Sequence, residues 1–349
     1  YEALDEADEA DFVATKILEI IDVGQDVYEG TLGRSDGSGQ RKFSPGNFRG
    51  ESGNILSEIA VLYRANFQSR ALEEAMLKYN VPYQVLGIKF FERREIKDTL
   101  AYLRAALNPQ SLGDIKRVIN FPARGIGKVT LAKIFANDTE KLPIKVRIKI
   151  GNFYKNLEEM REKIQNDKAS QVIKFVIKKS GIEDTLLNGT EEDIERLENI
   201  KELVTLALKY DNLENGLGIE KLLEDASLAS DQDSIMLNEE KKKEKTGVKL
   251  MTVHAAKGLE FKYVFIVGLE GGLFPYERSG GDEGDSEEER RLFYVALTRA
   301  RQKLYLSFTN FRTIFGSRQI NTPSEFISDI PADILEKEGE NDRIKTIYI

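Results

Sequence analysis

Three stretches of this 349-residue chain combine residue types that could bind phosphate and stabilise its charge. In the first, the apolar run Val61-Leu62 ends in the aromatic ring of Tyr63, followed by Arg64 and Asn66. A side chain leaving the carboxyl end of a strand faces the ligand crevice of an α/β sheet, where Tyr can stack on a base and Arg can reach phosphate. The competing reading is a core tyrosine beside a surface arginine. In the second, Met251-Thr252-Val253-His254 leaves another apolar run for a tight turn holding Lys257, Gly258 and Glu260. Thr and His can donate to a phosphate backbone and a carboxylate can accept from a ribose hydroxyl, although a lone histidine is more often a satisfied structural group. The third stretch runs from Glu287 to Ala300. Leu292, Val295 and Ala296 form its buried helical stripe, and Arg299, at i+7 from Leu292, lies near that stripe. A charge there is costly unless it meets an anion or a carboxylate. Arg299 is therefore either paired with neighbouring glutamates or an arginine finger for a γ-phosphate.

The phosphate loop itself, G-x-x-x-x-G-K-[ST], is absent. Its nearest mimic, Gly125-Ile126-Gly127-Lys128-Val129, has Pro122 in place of the first glycine and Val129 where Ser or Thr would hold magnesium. No apolar strand ends in a paired Asp-Glu to bind the metal. The chain alone is expected not to hydrolyse ATP.

These segments need elements to position them. Phe12, Val13, Ile17, Ile20 and Ile21 mark one face of a first helix, and Gly30 to Gly53 reads as a long polar surface loop. A strand at Ile59 to Tyr63, a helix at Gln68 to Tyr79 and a strand at Tyr83 to Leu86 begin an alternating β-α-β pattern. Glu95 to Leu107 reads as a further helix. From about Ser111 to Thr246 the pattern is helical and lysine-rich. Strands then return at Val248 to Val253 and Tyr263 to Val267, followed by a helix at Glu287 to Gln302 and a strand at Lys303 to Phe308. The expected fold class is α/β, a parallel-sheet domain covered by helices and interrupted by a mainly α-helical insertion. The expected boundaries are 1–54 for the first helix and loop, 55–110 and 247–332 for the two parts of the sheet domain, 111–246 for the insertion, and 333–349 for a tail.

A net charge of -8 argues against a simple nucleic-acid binder until it is counted by segment: residues 116–179 hold 16 Lys+Arg and 6 Asp+Glu. A hydrophobic content of 41% is too high for a disordered chain, and no stretch approaches the roughly 20 apolar residues of a membrane helix. With no cysteine and one histidine, disulfides, thiolate nucleophiles and multi-His metal sites are excluded. A cytoplasmic setting without membrane contact is expected. The chain begins at Tyr1 without a leader and reads as a fragment of something longer.

Taken together, these segments resemble the C-terminal half of the UvrD/PcrA/Rep family of superfamily 1 DNA helicases. Leu62 to Arg70 matches the family's fourth motif, Phe90 to Asp98 its F-F-x-R-x-E-I-K-D stretch, Thr252 to Phe261 its fifth motif and Glu288 to Ala300 its sixth. Asn120 to Gly127 resembles its R-G-I-G turn. The resemblance implies a RecA-like domain (2A) interrupted by a helical accessory domain (2B). It also implies a partner in the missing N-terminal RecA-like domain, which would carry the phosphate loop and the magnesium ligands. The implied cofactor is ATP with Mg2+, with Tyr63 stacking on adenine, Glu260 on the ribose, and Arg64 and Arg299 as catalytic contacts to the γ-phosphate. Thr252, His254 and Arg93 would touch single-stranded DNA, and Arg124, Gly125, Ile126, Gly127 and Lys128 the duplex. The activity implied for the intact protein is ATP-dependent 3′ to 5′ DNA unwinding in repair or replication. Besides lacking the first RecA-like domain, the chain departs from the family in having Leu86-Gly87 in place of Gly-Gly, a compact insertion and a long loop from Gly30 to Gly53. The competing expectation is a helicase-derived module that holds DNA or a protein without motor activity. A nuclease-helicase relative is disfavoured, because no Asp/Glu/Lys nuclease pattern follows Ile330.

Overall fold

The computed structural model describes residues 1–29, 52–136, 138–240, 247–276 and 283–338. The expected loop at 30–53 lies outside the described residues up to 51, as do residues 339–349 of the expected tail. In chain order, the first elements are β1 (Glu2–Ala3), α1 (Glu6–Glu29), α2 (Ser52–Ser57), β2 (Ile59–Tyr63), α3 (Ser69–Lys78) and β3 (Tyr83–Val85). Helices follow as α4 (Arg94–Leu107), α5 (Leu112–Val118), α6 (Lys128–Phe135), α7 (Ile144–Asn166), α8 (Ala169–Ser180), α9 (Ile182–Leu187), α10 (Glu191–Ala207) and α11 (Leu217–Glu240). The chain then forms β4 (Val248–Thr252), β5 (Phe261–Ile266), α12 (Glu283–Leu297) and β6 (Ala300–Leu306). It ends in β7 (Phe308–Thr309), β8 (Phe311–Ile314), β9 (Ser317–Ile320) and α13 (Glu325–Ser328). No described helix is long and apolar enough to cross a membrane.

The chain divides into two compact units, residues 1–89 with 238–313 and 318–349, and residues 90–237 with 314–317. The first unit is built on a parallel sheet in the order β3-β4-β2-β5-β6. Its central strand β2 is buried along its whole length, which is why it reads as a continuous apolar run rather than an alternating one. Side chains alternate between the two faces. Ile59, Val61 and Tyr63 enter one core with Val13 and Ile17 of α1 and Leu72 and Met76 of α3. Ala60 and Leu62 enter the other, with Leu292, Phe293 and Ala296 of α12. The α/β expectation therefore holds for this unit, down to the β-α-β beginning and helices on both faces.

The second unit is helical, with one core drawn from α4, α5, α7, α8, α10 and α11. It begins at Phe90 and runs to Leu237, where the sequence pattern placed the insertion at 111–246. At the start of the unit the difference lies in α4: Ile96, Leu100 and Leu103 pack into the helical core rather than beside the sheet. An amphipathic helix declares which of its faces is buried, and leaves open which layer covers it.

Candidate functional site

The carboxyl ends of β2 and β4 are neighbours, with Tyr63 opposite Thr252 in register and the Val253 N–H donating to the Tyr63 carbonyl at 2.9 Å. This brings together Tyr63, Arg64, Thr252 and His254 at one edge of the sheet. The ring expected to stack on a base is, in this arrangement, part of the core: Tyr63 is 1% exposed. Strand parity is the reason, because Tyr63 shares the face of Ile59 and Val61, which α1 and α3 cover. Arg64 comes next in the chain and turns to the α12 side. There its Nε donates to both carboxylate oxygens of Glu289 at 2.9 Å and its Nη2 to Oε1 at 2.6 Å. The Glu289 carboxylate also accepts the Tyr276 N–H at 3.0 Å, and the Tyr276 ring centroid lies 5.1 Å from the Arg64 Cζ. Gln68 Oε1 holds the turn by accepting the N–H groups of Arg64 and Ala65 at 3.0 and 2.7 Å. Thr252 Oγ1 accepts the Ala255 N–H at 3.3 Å, starting the turn that leaves His254 exposed.

The loop that carries Tyr276 is pinned by a buried ion network. Arg312 Nη2 donates to Glu9 and Glu270 at 2.6 Å each, and its Nε to Glu270 at 2.9 Å. Two buried carboxylates around one guanidinium hold Arg312 far above its usual range despite its burial.

Glu260 and Arg299 lie at the opposite, amino-terminal edge, because Phe261 opens β5 and Ala300, its register partner, opens β6. α12 ends at Leu297, so Arg299 sits in a turn and not on the helical stripe assigned from sequence. It caps the helix instead: Nε donates to the Val295 carbonyl at 3.0 Å, Nη1 to the Leu259 carbonyl at 2.8 Å and Nη2 to Thr298 Oγ1 at 3.0 Å. The last carbonyls of a helix lack partners within it, and a cation suits that end. All three acceptors are neutral. The glutamate pairing weighed for Arg299 belongs to Arg64. Glu260 is exposed and bound by Arg301 Nε at 2.9 Å. Thus Glu260 and Arg299 are brought together, whereas Arg64 is held about midway along α12. Glu289 and Leu297 are eight residues apart, roughly 12 Å along the helix axis.

The remaining expected contacts belong to the helical unit. Arg93 is 5% exposed, with Nη1 donating to Asn199 Oδ1 at 2.8 Å and its Cζ 5.5 Å from the Phe90 ring centroid, an interior position rather than a strand-facing one. Arg124 is a clamp. Its Nη1 donates to the carbonyls of Val118, Ile119 and Pro122 at 3.2, 3.2 and 3.1 Å, and its Nη2 to Tyr102 Oη and the Ser180 carbonyl at 2.9 Å each. Burial pushes the Tyr102 hydroxyl up to about 12, with Arg124 opposing the shift. Ile126 is buried, while Gly125, Gly127 and Lys128 are exposed at the start of α6. The Lys149 ammonium donates to the Arg124 carbonyl at 2.9 Å, which places α7 beside this turn.

Sequence reasoning missed Glu289, Tyr276 and Gln68. For Glu289 a signal was there: it precedes Leu292, Phe293 and Ala296 by three, four and seven residues, and so falls on the buried stripe of α12. The donors left open on Arg64 and Arg299 suit phosphate oxygens. Among the described residues no group of three or more His, Asp or Glu side chains is placed to hold a metal ion.

A parallel α/β sheet that presents arginines and a Thr-His turn at its edges, in a chain that also folds a separate helical unit, has the architecture of a RecA-like domain. Residues 47–311 match the family of the UvrD-like helicase C-terminal domain, and the chain belongs to that family. It is 39% identical over 304 residues to the ATP-dependent DNA helicase PcrA of Bacillus subtilis (strain 168), covering 82% of this chain and 41% of that protein. It is 36% identical over 372 residues to the PcrA helicase of Staphylococcus epidermidis, covering 100% of this chain and 46% of that protein. It is also 36% identical over 359 residues to DNA helicase II of Haemophilus influenzae, covering 97% and 44%. The chain thus spans less than half the length of these curated relatives.

Proposed function

We propose that this chain is the 2A half, with a helical 2B unit, of an ATP-dependent DNA helicase that moves 3′ to 5′ on single-stranded DNA. In this reading a separate RecA-like domain supplies the phosphate loop and the Mg2+ ligands. MgATP bound between the two halves would supply the polyphosphate anion across which they close, and its hydrolysis would remove that anion and let the cleft relax. Arg299 reaches toward the γ-phosphate and stabilises its developing charge, Glu260 accepts from the ribose, and Arg64 is a second phosphate contact. Thr252 and His254 donate to the single-strand backbone. The burial of Tyr63 and Arg93 supports structural roles beneath those contacts. Lys128, together with Lys145 and Arg147 of α7, is the better duplex contact than the clamped Arg124.

The observation that carries the reading is Arg299. It is a guanidinium in an edge turn, bonded to neutral acceptors only and without a carboxylate partner among the described residues. An arginine placed this way keeps donors for an incoming anion, and arginine fingers contribute on the order of 10³-fold or more to phosphoryl transfer. In the protein that carries both halves, Arg299→Ala should lower DNA-stimulated ATP hydrolysis by on the order of 10³-fold while ATP still binds. Undiminished turnover would sink the assignment. A binding module without motor activity would show no ATP hydrolysis in the parent protein to begin with.

A further inference from the structure

We infer that Glu289 is a positioning residue for Arg64: it fixes one edge of the guanidinium so that the other edge faces an anion. The inference rests on the proposed role of Arg64 as a phosphate contact. A guanidinium has five N–H bonds in a rigid plane. Glu289 takes the Nε and Nη2 side of that plane in a two-point contact, Nε donating to Oε2 at 2.9 Å and Nη2 to Oε1 at 2.6 Å. No other donation by the side chain occurs among the described residues, which leaves both Nη1 hydrogens and one on Nη2 on the far edge. That edge has the two-donor geometry that matches a phosphate.

The pair is held rigidly from both sides. The Glu289 side chain is 9% exposed and that of Arg64 is 18% exposed, so little water competes for the contact. Glu289 is anchored by α12 and by the Tyr276 N–H, and Gln68 fixes the backbone from which Arg64 projects. Tyr276 lies against the guanidinium and limits rotation out of the plane. A surface ion pair would have none of these restraints. A carboxylate that merely neutralised a buried arginine would have no reason to leave its two-donor edge open.

Positioning predicts a specific kinetic pattern. In the protein carrying both halves, Glu289→Gln keeps the shape and one acceptor oxygen but loses the charge and the second acceptor oxygen. It should lower kcat for ATP hydrolysis by about 10- to 100-fold with little change in KM, because misplacing a contact made in the transition state costs rate rather than ground-state binding. Its melting temperature should stay near that of the parent. The decisive measurement is the double-mutant cycle with Arg64→Ala. If Glu289 acts only through Arg64, adding Glu289→Gln to Arg64→Ala changes nothing further. Additive losses, an unchanged kcat in Glu289→Gln, or a raised kcat that marks Glu289 as a competitor for Arg64 would each overturn the inference while leaving the role of Arg64 intact. An Arg64→Ala protein with full turnover would overturn the reading of Arg64 itself, and this inference with it.

Discussion

Tyr63 and Tyr102 show how far a residue's surroundings outrun its identity. Tyr63 sits in a motif whose chemistry suggests stacking on a base, but its parity on β2 places the ring in the core under α1 and α3. Tyr63→Ala should therefore cost stability first, about 3–5 kcal/mol in a denaturant titration, as for other large aromatic truncations. A melt unchanged from the parent, with weakened ATP affinity, would return the ring to the nucleotide. Tyr102 gives the pH prediction. Its hydroxyl donates to the Val118 and Phe121 carbonyls and accepts from Arg124, and burial raises it to about 12. Between pH 10 and 12 the unfolded chain has released this proton and the folded chain has kept it. Stability is therefore full below pH 10 and falls as pH rises through that window, by about 2–3 kcal/mol from this group. Comparing unfolding of the parent and Tyr102→Phe across pH 9–12 isolates the effect, since the other groups titrating there cancel. An identical pH dependence in the two would show that the hydroxyl titrates normally.

At the scale of elements, much of the first unit was legible because its signals are local. A run such as Ile59 to Tyr63 declares a buried strand, and the apolar spacing of α1 and α3 declares the helices that cover it. The end of α12 was not legible, since the helical pattern reads on to Gln302 while the pairing of Ala300 with Phe261 draws the chain into β6. That pairing joins residues far apart in sequence. The Arg64–Glu289 pair was hidden for the same reason: it spans 225 positions and depends on two elements crossing on one sheet face. Gly268 illustrates how tightly this region is set. It has φ +71°, and a Cβ there would lie 2.3 Å from Gln68 Nε2. Gly268→Ala should cost at least about 1–2 kcal/mol from backbone strain alone. In the protein that carries both halves, the proposed function predicts lower ATP turnover too, because Gln68 must move and its carbonyl holds the Arg64 turn. Loss of stability with normal turnover would separate the two effects and show that the turn survives without its glutamine brace.

Across the whole chain, the net charge of -8 hides a polarised helical unit. Residues 116–179 hold 16 Lys+Arg and 6 Asp+Glu, whereas residues 180–237 hold 4 and 15. Such separation creates a local field that an average conceals. The first turn of α7 carries Lys145 and Arg147 and no acid, although a helix start favours negative charge. Both residues are exposed, as is Lys128, and none of the three has a carboxylate partner among the described residues. Exposed cations in an unfavourable dipole, left unpaired, are the arrangement expected of a surface that meets an external polyanion. Binding of this chain to a labelled 3′-tailed duplex should weaken with salt, and replacing Lys128, Lys145 and Arg147 with Ala should reduce the slope of log K against log salt by roughly 2–3. Arg124→Ala provides the contrast: with its guanidinium committed to carbonyls inside the unit, it should lower the melting temperature before it alters that slope. A blunt duplex and a bare single strand measured alongside locate the preference. An unchanged slope in the triple variant would make the basic segment a solvated face.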